Sequence, residues 1–162
     1  MAHRPTWLVV DTQPVTFGMR VVARLLDPEG TGAVIHSAQH PDLRVDPAVP
    51  RLLLADTTLY GIASVEHALR AKPAQLPPPW LLLVSDAPTR PVRAARYRLR
   101  ALAGRVAGTV TVPYLGALRA AGDEDEALAD PEVRAAGTRL RRRLTSATPT
   151  PDRTPTEKRN TP

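Results

Sequence analysis

Three aspartates stand where short apolar runs stop: Asp11 after Trp7-Leu8-Val9-Val10, Asp56 after Leu52-Leu53-Leu54-Ala55, and Asp86 after Trp80-Leu81-Leu82-Leu83-Val84-Ser85. Apolar runs of this length read as buried strands. In a parallel sheet, carboxylates at such ends gather on one edge, the edge where open α/β folds bind ligands. Acids brought together there could hold a divalent cation or serve a phosphate site. The plainer role is capping of the helix that follows, and spacing alone leaves both open.

Other chemistries find less support. A phosphate-binding loop needs glycines and a lysine in the pattern G-x-x-x-x-G-K-[S/T], so that backbone N–H groups cradle the phosphates. The two lysines, Lys72 and Lys158, follow no glycine, and no G-x-G-x-x-G occurs. His36 and His40 with Asp42 suggest a metal site, but this pair runs into a proline-rich loop and not along a helix, so they read as loop histidines. Ser64 lacks the G-x-S-x-G turn, and His67 lies three residues along the same helix, so acyl transfer is unsupported. Arg93, Arg96 and Arg100 share one face of a predicted helix, apart from Leu99 and Leu102. With Arg139, Arg141, Arg142 and Arg143 they could track DNA phosphates or meet an acidic protein, or stand as a solvated face.

The elements that must position these groups alternate. The spacing of Val15, Met19, Val22, Ala23 and Leu26 predicts an amphipathic helix after Asp11, ended by Asp27-Pro28-Glu29-Gly30. A short strand is expected over 32–37 and an irregular, proline-bearing connection over 39–50. The strand over 51–56 leads into a helix with Ile62, Val65 and Leu69 inward. A proline-rich break over 73–79 precedes the strand over 80–85. The next helix should bury Val92, Ala95, Leu99, Leu102 and Val106, and the last strand spans 108–112. A final helix places Val133, Ala136, Leu140 and Leu144 on one face, preceded by the acidic run Asp123-Glu124-Asp125-Glu126, which suits a helix N-terminus. Strands alternating with amphipathic helices imply a doubly wound, mostly parallel sheet of five strands.

Composition sets the outer limits. The 162 residues fit one domain, and 43% apolar content is enough for a core. The domain is expected over 1–144, with 145–162 as a disordered Pro/Thr-rich tail lacking apolar periodicity. The absence of cysteine excludes disulfides, thiolate metal sites and thiol nucleophiles. No apolar run is long enough to cross a bilayer and the start lacks the apolar segment of a signal peptide, so a cytoplasmic location is expected. The net charge of +6 is nearly all arginine, and it is weak evidence for a polyanionic partner.

With these residues in place, the chain resembles the receiver domain of bacterial two-component response regulators, most of all the NarL/FixJ type. Val9-Val10-Asp11-Thr12-Gln13-Pro14 is similar to that family's V-D-D-H-P start. Leu54-Ala55-Asp56-Thr57-Thr58-Leu59-Tyr60-Gly61 is similar to its third strand and D-x-x-M-P-G loop, and residues 107–112 to its A-x-G-Y-L-L-K segment. The resemblance, over about residues 7–120, implies a flavodoxin-like (receiver-like) fold, Asp56 at the phosphoacceptor position, Ser85 as the switch hydroxyl, and Asp11 with Asp56 as magnesium ligands. The departures fall on the chemistry. Thr12 replaces the second acid, Tyr60 the loop proline, Thr109 the switch aromatic, and Val112 the lysine that would pair with an acyl phosphate. No DNA-reading helix-turn-helix domain is expected after it.

The resemblance therefore implies a pseudo-receiver: a non-enzymatic signalling module that works by binding a protein partner or by dimerising through its last helix-strand-helix face, without ordinary phosphorylation. No cofactor is expected, magnesium entering only if the residual acids still hold it. The alternatives are nonspecific DNA binding through Arg93, Arg96, Arg100, Arg139, Arg142 and Arg143, and a remnant of a MinD/ParA-type ATPase, whose D-T-x-P segment Asp11-Thr12-Gln13-Pro14 resembles.

Overall fold

The structure is a computed structural model that describes residues 7–37 and 46–147. Five strands, β1 (Trp7–Asp11), β2 (Val34–His36), β3 (Arg51–Asp56), β4 (Trp80–Val84) and β5 (Gly108–Val112), form one parallel sheet in the order β2-β1-β3-β4-β5. This is the flavodoxin-like arrangement, in which the chain winds outward in both directions from a switch point between β1 and β3. Helices α1 (Phe17–Leu26) and α6 (Pro131–Ala147) cover one face, while α2 (Leu59–Ala71) and α3 (Arg93–Leu102) cover the other. Two short helices, α4 (Ala117–Ala120) and α5 (Glu124–Ala129), lie between β5 and α6.

The near-continuous apolar runs follow from burial on both faces. Along β3, Leu52 and Leu54 point into the core under α1 and α6, and Leu53 and Ala55 into the core under α2 and α3. The rings of Trp7 and Trp80 meet edge to face with centroids 6.4 Å apart. Trp80 also lies against Gly108, where any Cβ would collide with its ring.

Several local expectations are corrected. Val15 is not on the inward face of the first helix but 37% exposed. The helix begins two residues later, because Thr16 caps it by accepting a hydrogen bond from the Met19 N–H (3.3 Å), and Val21 and Leu25 are buried as well. Val92 occupies the N-cap of α3 and is 62% exposed, whereas Leu99 and Val106 pack at the core's margin. The acidic run does not lead directly into the final helix. Asp123 caps the separate α5 through the Glu126 N–H (2.8 Å), and the chain restarts at Asp130-Pro131. Asp130 accepts from the N–H groups of Glu132 (2.8 Å) and Val133 (3.2 Å), and proline occupies the first helical position, where it is tolerated best. Val133, Ala136, Leu140 and Leu144 are all buried, as their spacing implies, and α6 continues to Ala147, into the stretch assigned to the tail. Residues 39–45 of the expected loop, with His40 and Asp42, and 148–162 of the expected tail lie outside the described residues.

Candidate functional site

The strand-end aspartates are brought to one edge of the sheet, where Asp56 and Asp86 line one cavity and Asp11 another. Asp56 and Thr57 are the buried polar side chains among the described residues. Asp56 ends β3, and both its oxygens are taken. Oδ1 accepts from the Thr58 N–H (3.1 Å) and hydroxyl (2.5 Å), and Oδ2 accepts from Gln13 Nε2 (2.8 Å). Thr58 in turn caps α2 by accepting from the Gly61 N–H (2.9 Å). Gly61 is required by crowding: a Cβ there would lie 2.5 Å from both the Asp56 carbonyl oxygen and Gln13 Oε1. The glycine lets the Gln13 amide reach the carboxylate, leaving Gln13 Oε1 buried without a partner.

Asp86 belongs to the same network. Its Oδ1 accepts from the Thr57 hydroxyl (2.5 Å), and its N–H donates back to Thr57 Oγ1 (3.2 Å), tying the turn after β3 to the turn after β4. Ser85 lies just past β4 and donates its N–H to the Val112 carbonyl (3.0 Å). Ser85, Asp56 and Asp86 line a cavity of about 320 Å³ at the start of α1. Val112, where the resemblance calls for a lysine, is 2% exposed and points into the core. The cation that lines this cavity is Arg119 on α4, which no spacing in the sequence connects with Asp56. Tyr60 and Thr109 are both exposed.

Asp11 faces a different cavity, of about 440 Å³, lying along α1 and β2. It stands opposite Leu54 in the ladder, two residues short of Asp56, and its strand neighbour on the other side is His36, paired with Val9. Asp11 and His36 line that cavity with Arg20 and Arg24 of α1, Asp27 just past its end, and Glu124 of α5. Asp11 Oδ1 is buried and has no hydrogen-bond partner. Burial pushes the Asp11 carboxyl up from its ordinary value, and His36 partly offsets this. Burial pushes the His36 imidazole down, with Asp11 partly offsetting. Asp27, by contrast, is held below its ordinary value: N–H and hydroxyl donors of the Thr31–Ala33 turn outweigh its own desolvation. Arg20 pairs with Glu124 (2.7 Å), and Arg24 with Asp125 (2.8 Å) and Glu124 (3.6 Å), so the acidic run docks α5 onto α1.

These positions do not fit a magnesium ion. Asp56 spends both oxygens on protein donors, and Asp11 lines another cavity. Thr12, in place of the second acid, donates its hydroxyl to the Leu54 carbonyl (3.1 Å). No group of three or more His, Cys, Asp or Glu among the described residues is placed to hold a metal. Ser64 donates to its own helix at Tyr60 O (3.0 Å) and His67 is exposed, so they form no nucleophile–base pair.

Arg93, Arg96 and Arg100 are exposed on α3, and Arg139, Arg142 and Arg143 on α6. The two sets lie on opposite faces of the sheet, because α3 packs with α2 and α6 with α1. Arg98 is tied to Glu66 (3.1 Å), and Arg141 donates to the Leu25 carbonyl (2.5 Å), so these two serve packing between helices.

No protein-family model, curated protein or solved structure matches the chain. Among the described residues no helix is long and apolar enough to cross a membrane.

Proposed function

We propose that the chain is a pseudo-receiver, a signalling module that acts through a protein partner or by dimerisation and is not switched by phosphorylation of Asp56. One observation carries this reading. An aspartate at the end of the third strand of a 2-1-3-4-5 parallel sheet is held with both oxygens hydrogen-bonded, by Gln13 and Thr58, in a cavity shared with Ser85, and the lysine's place in β5 holds a buried valine. An acceptor so engaged is a poor nucleophile, because attack requires breaking hydrogen bonds of the kind that stabilise the carboxylate most. Without lysine or magnesium, the charge of an acyl phosphate lacks its partners. Incubation of the full chain with acetyl phosphate and magnesium, followed by intact-mass measurement, is expected to show no phosphorylated species. Stoichiometric phosphorylation that disappears in Asp56→Asn would overturn the proposal.

Nonspecific DNA association is the second reading, favoured by the exposed arginines of α3 and α6. Their placement on opposite faces means that one duplex engages one set at a time. Binding then weakens steeply with salt, and neutralising Arg93, Arg96 and Arg100 leaves the α6 contribution in place. Salt-insensitive binding, or none, would exclude it.

A further inference from the structure

We propose that the cavity between Asp11, His36 and α1 is a binding site for a small zwitterion of the α-amino-acid class, its ammonium group donating to Asp11 and its carboxylate meeting Arg20 and Arg24. The inference deepens the proposal above, since it gives a module without a phosphate input a different input at the same edge of the sheet.

The polar groups that line the cavity set the ligand's chemistry. Its volume of about 440 Å³ lies within the range of small-molecule sites. Asp11 makes no side-chain hydrogen bond among the described residues: Oδ1 is closed off inside the protein, and the other carboxylate oxygen is the one left to accept an N–H from a ligand in the cavity that Asp11 lines. On the helix side, Arg20 uses its Nε on Glu124, and Arg24 one Nη on Asp125 and Glu124. Their other guanidinium nitrogens make no hydrogen bond among the described residues, and a guanidinium matches a carboxylate in geometry and charge. A purely anionic ligand would meet Asp11, Asp27 and Glu124, and a purely cationic one Arg20 and Arg24. A molecule carrying both charges a few bonds apart meets each with its opposite. Val15, Ala23 and Val34 leave apolar surface for a short side chain. A metal ion is the poorer occupant, because the imidazole and the Asp11 carboxylate are not joined by a third ligand placed to close a coordination shell.

The test titrates the full chain, at fixed neutral pH, with each standard amino acid in turn, following amide and His36 imidazole signals by NMR. Butylamine and butyrate, each carrying one of the two charges, serve as half-ligands. At least one amino acid is expected to shift residues of β1, β2 and α1 saturably, and both half-ligands to bind at least about tenfold more weakly. Asp11→Asn, which keeps the shape and breaks no protein hydrogen bond, is expected to weaken binding about tenfold, as is Arg24→Gln. A thermal melt of each variant confirms folding. The site is disproved if no amino acid produces a saturable shift in these elements, if a half-ligand binds as well as the zwitterion, or if Asp11→Asn binds undiminished. Acyl phosphorylation is read separately by mass, so loss of either proposal leaves the other standing.

Discussion

Asp11 and Asp56 end adjacent parallel strands of one sheet, yet their surroundings are opposite. Asp56 is closed: three donors from Gln13 and Thr58 saturate its carboxylate, and the buried Thr57 fastens the next turn to Asp86. Asp11 is open: one oxygen is buried with no donor, beside a half-buried histidine in the larger cavity. The difference comes from what the preceding and following loops bring. Gln13 leans across to Asp56 because Gly61 has no side chain to stop it, while the loop after β1 offers Asp11 no donor. A strand-end acid is therefore part of the scaffold when local N–H and O–H groups complete it, and a site when they do not.

Breaking the closed side should have the largest effect. Gly61→Ala forces a methyl group onto the Asp56 carbonyl and the Gln13 amide, and is expected to cost about 2–3 kcal/mol by urea denaturation, despite alanine's better helix propensity. A loss below about 0.5 kcal/mol would mean that Gln13 does not occupy this position. Thr57→Val keeps the shape but removes the hydroxyl that both donates to and accepts from Asp86, with an expected cost of about 1–2 kcal/mol.

The open side should show itself in pH dependence and not in large energies. His36 has a folded-state pKa below its ordinary value of about 6.5, so its neutral form is the one the fold favours. That contribution is present above the ordinary value and is lost as pH falls through the lower, folded one. Asp11 has the opposite sign: its carboxyl is raised, so the burden of its buried charge is relieved as pH falls through that raised value toward the ordinary one. The charged groups that line the cavity with the imidazole are Asp11 on β1, Arg20 and Arg24 on α1, Asp27 just past its end, and Glu124 on α5. Melting temperature should therefore begin to drop as pH falls below the ordinary histidine value of about 6.5, and His36→Gln should flatten part of that drop. An unchanged profile in the variant would show that the imidazole is solvated.

The parts of this comparison legible in the sequence are those written locally. The strands at Asp11, Asp56 and Ser85 stand out as apolar runs with polar ends, and Ile62, Val65 and Leu69 declare the buried face of α2 by spacing alone. The break between α5 and α6 was also within reach, since Asp130-Pro131 is a cap followed by a first-turn proline. What could not be read depends on distant pairing. Gln13 is 43 residues from Asp56, and only the parallel pairing of β1 with β3 brings them together. His36 reads as a loop histidine until β2 places it beside Asp11, and Arg119 reaches the Asp56 cavity from a four-residue helix too short to leave a periodic trace. Val15 failed for a nearer reason: it fits the helical repeat but precedes the cap.

The most direct measurement of the contrast is the stability of two matched variants, Asp56→Asn and Asp11→Asn, by urea denaturation under identical neutral conditions. An amide at position 56 must turn an N–H group toward Gln13 or Thr58, donors themselves, and is expected to cost about 2 kcal/mol. An amide at position 11 removes a buried charge with an unpartnered oxygen, and is expected to change stability by less than about 0.5 kcal/mol or to raise it. Equal losses at the two positions, or a larger loss at Asp11, would contradict the account of one closed and one open acid.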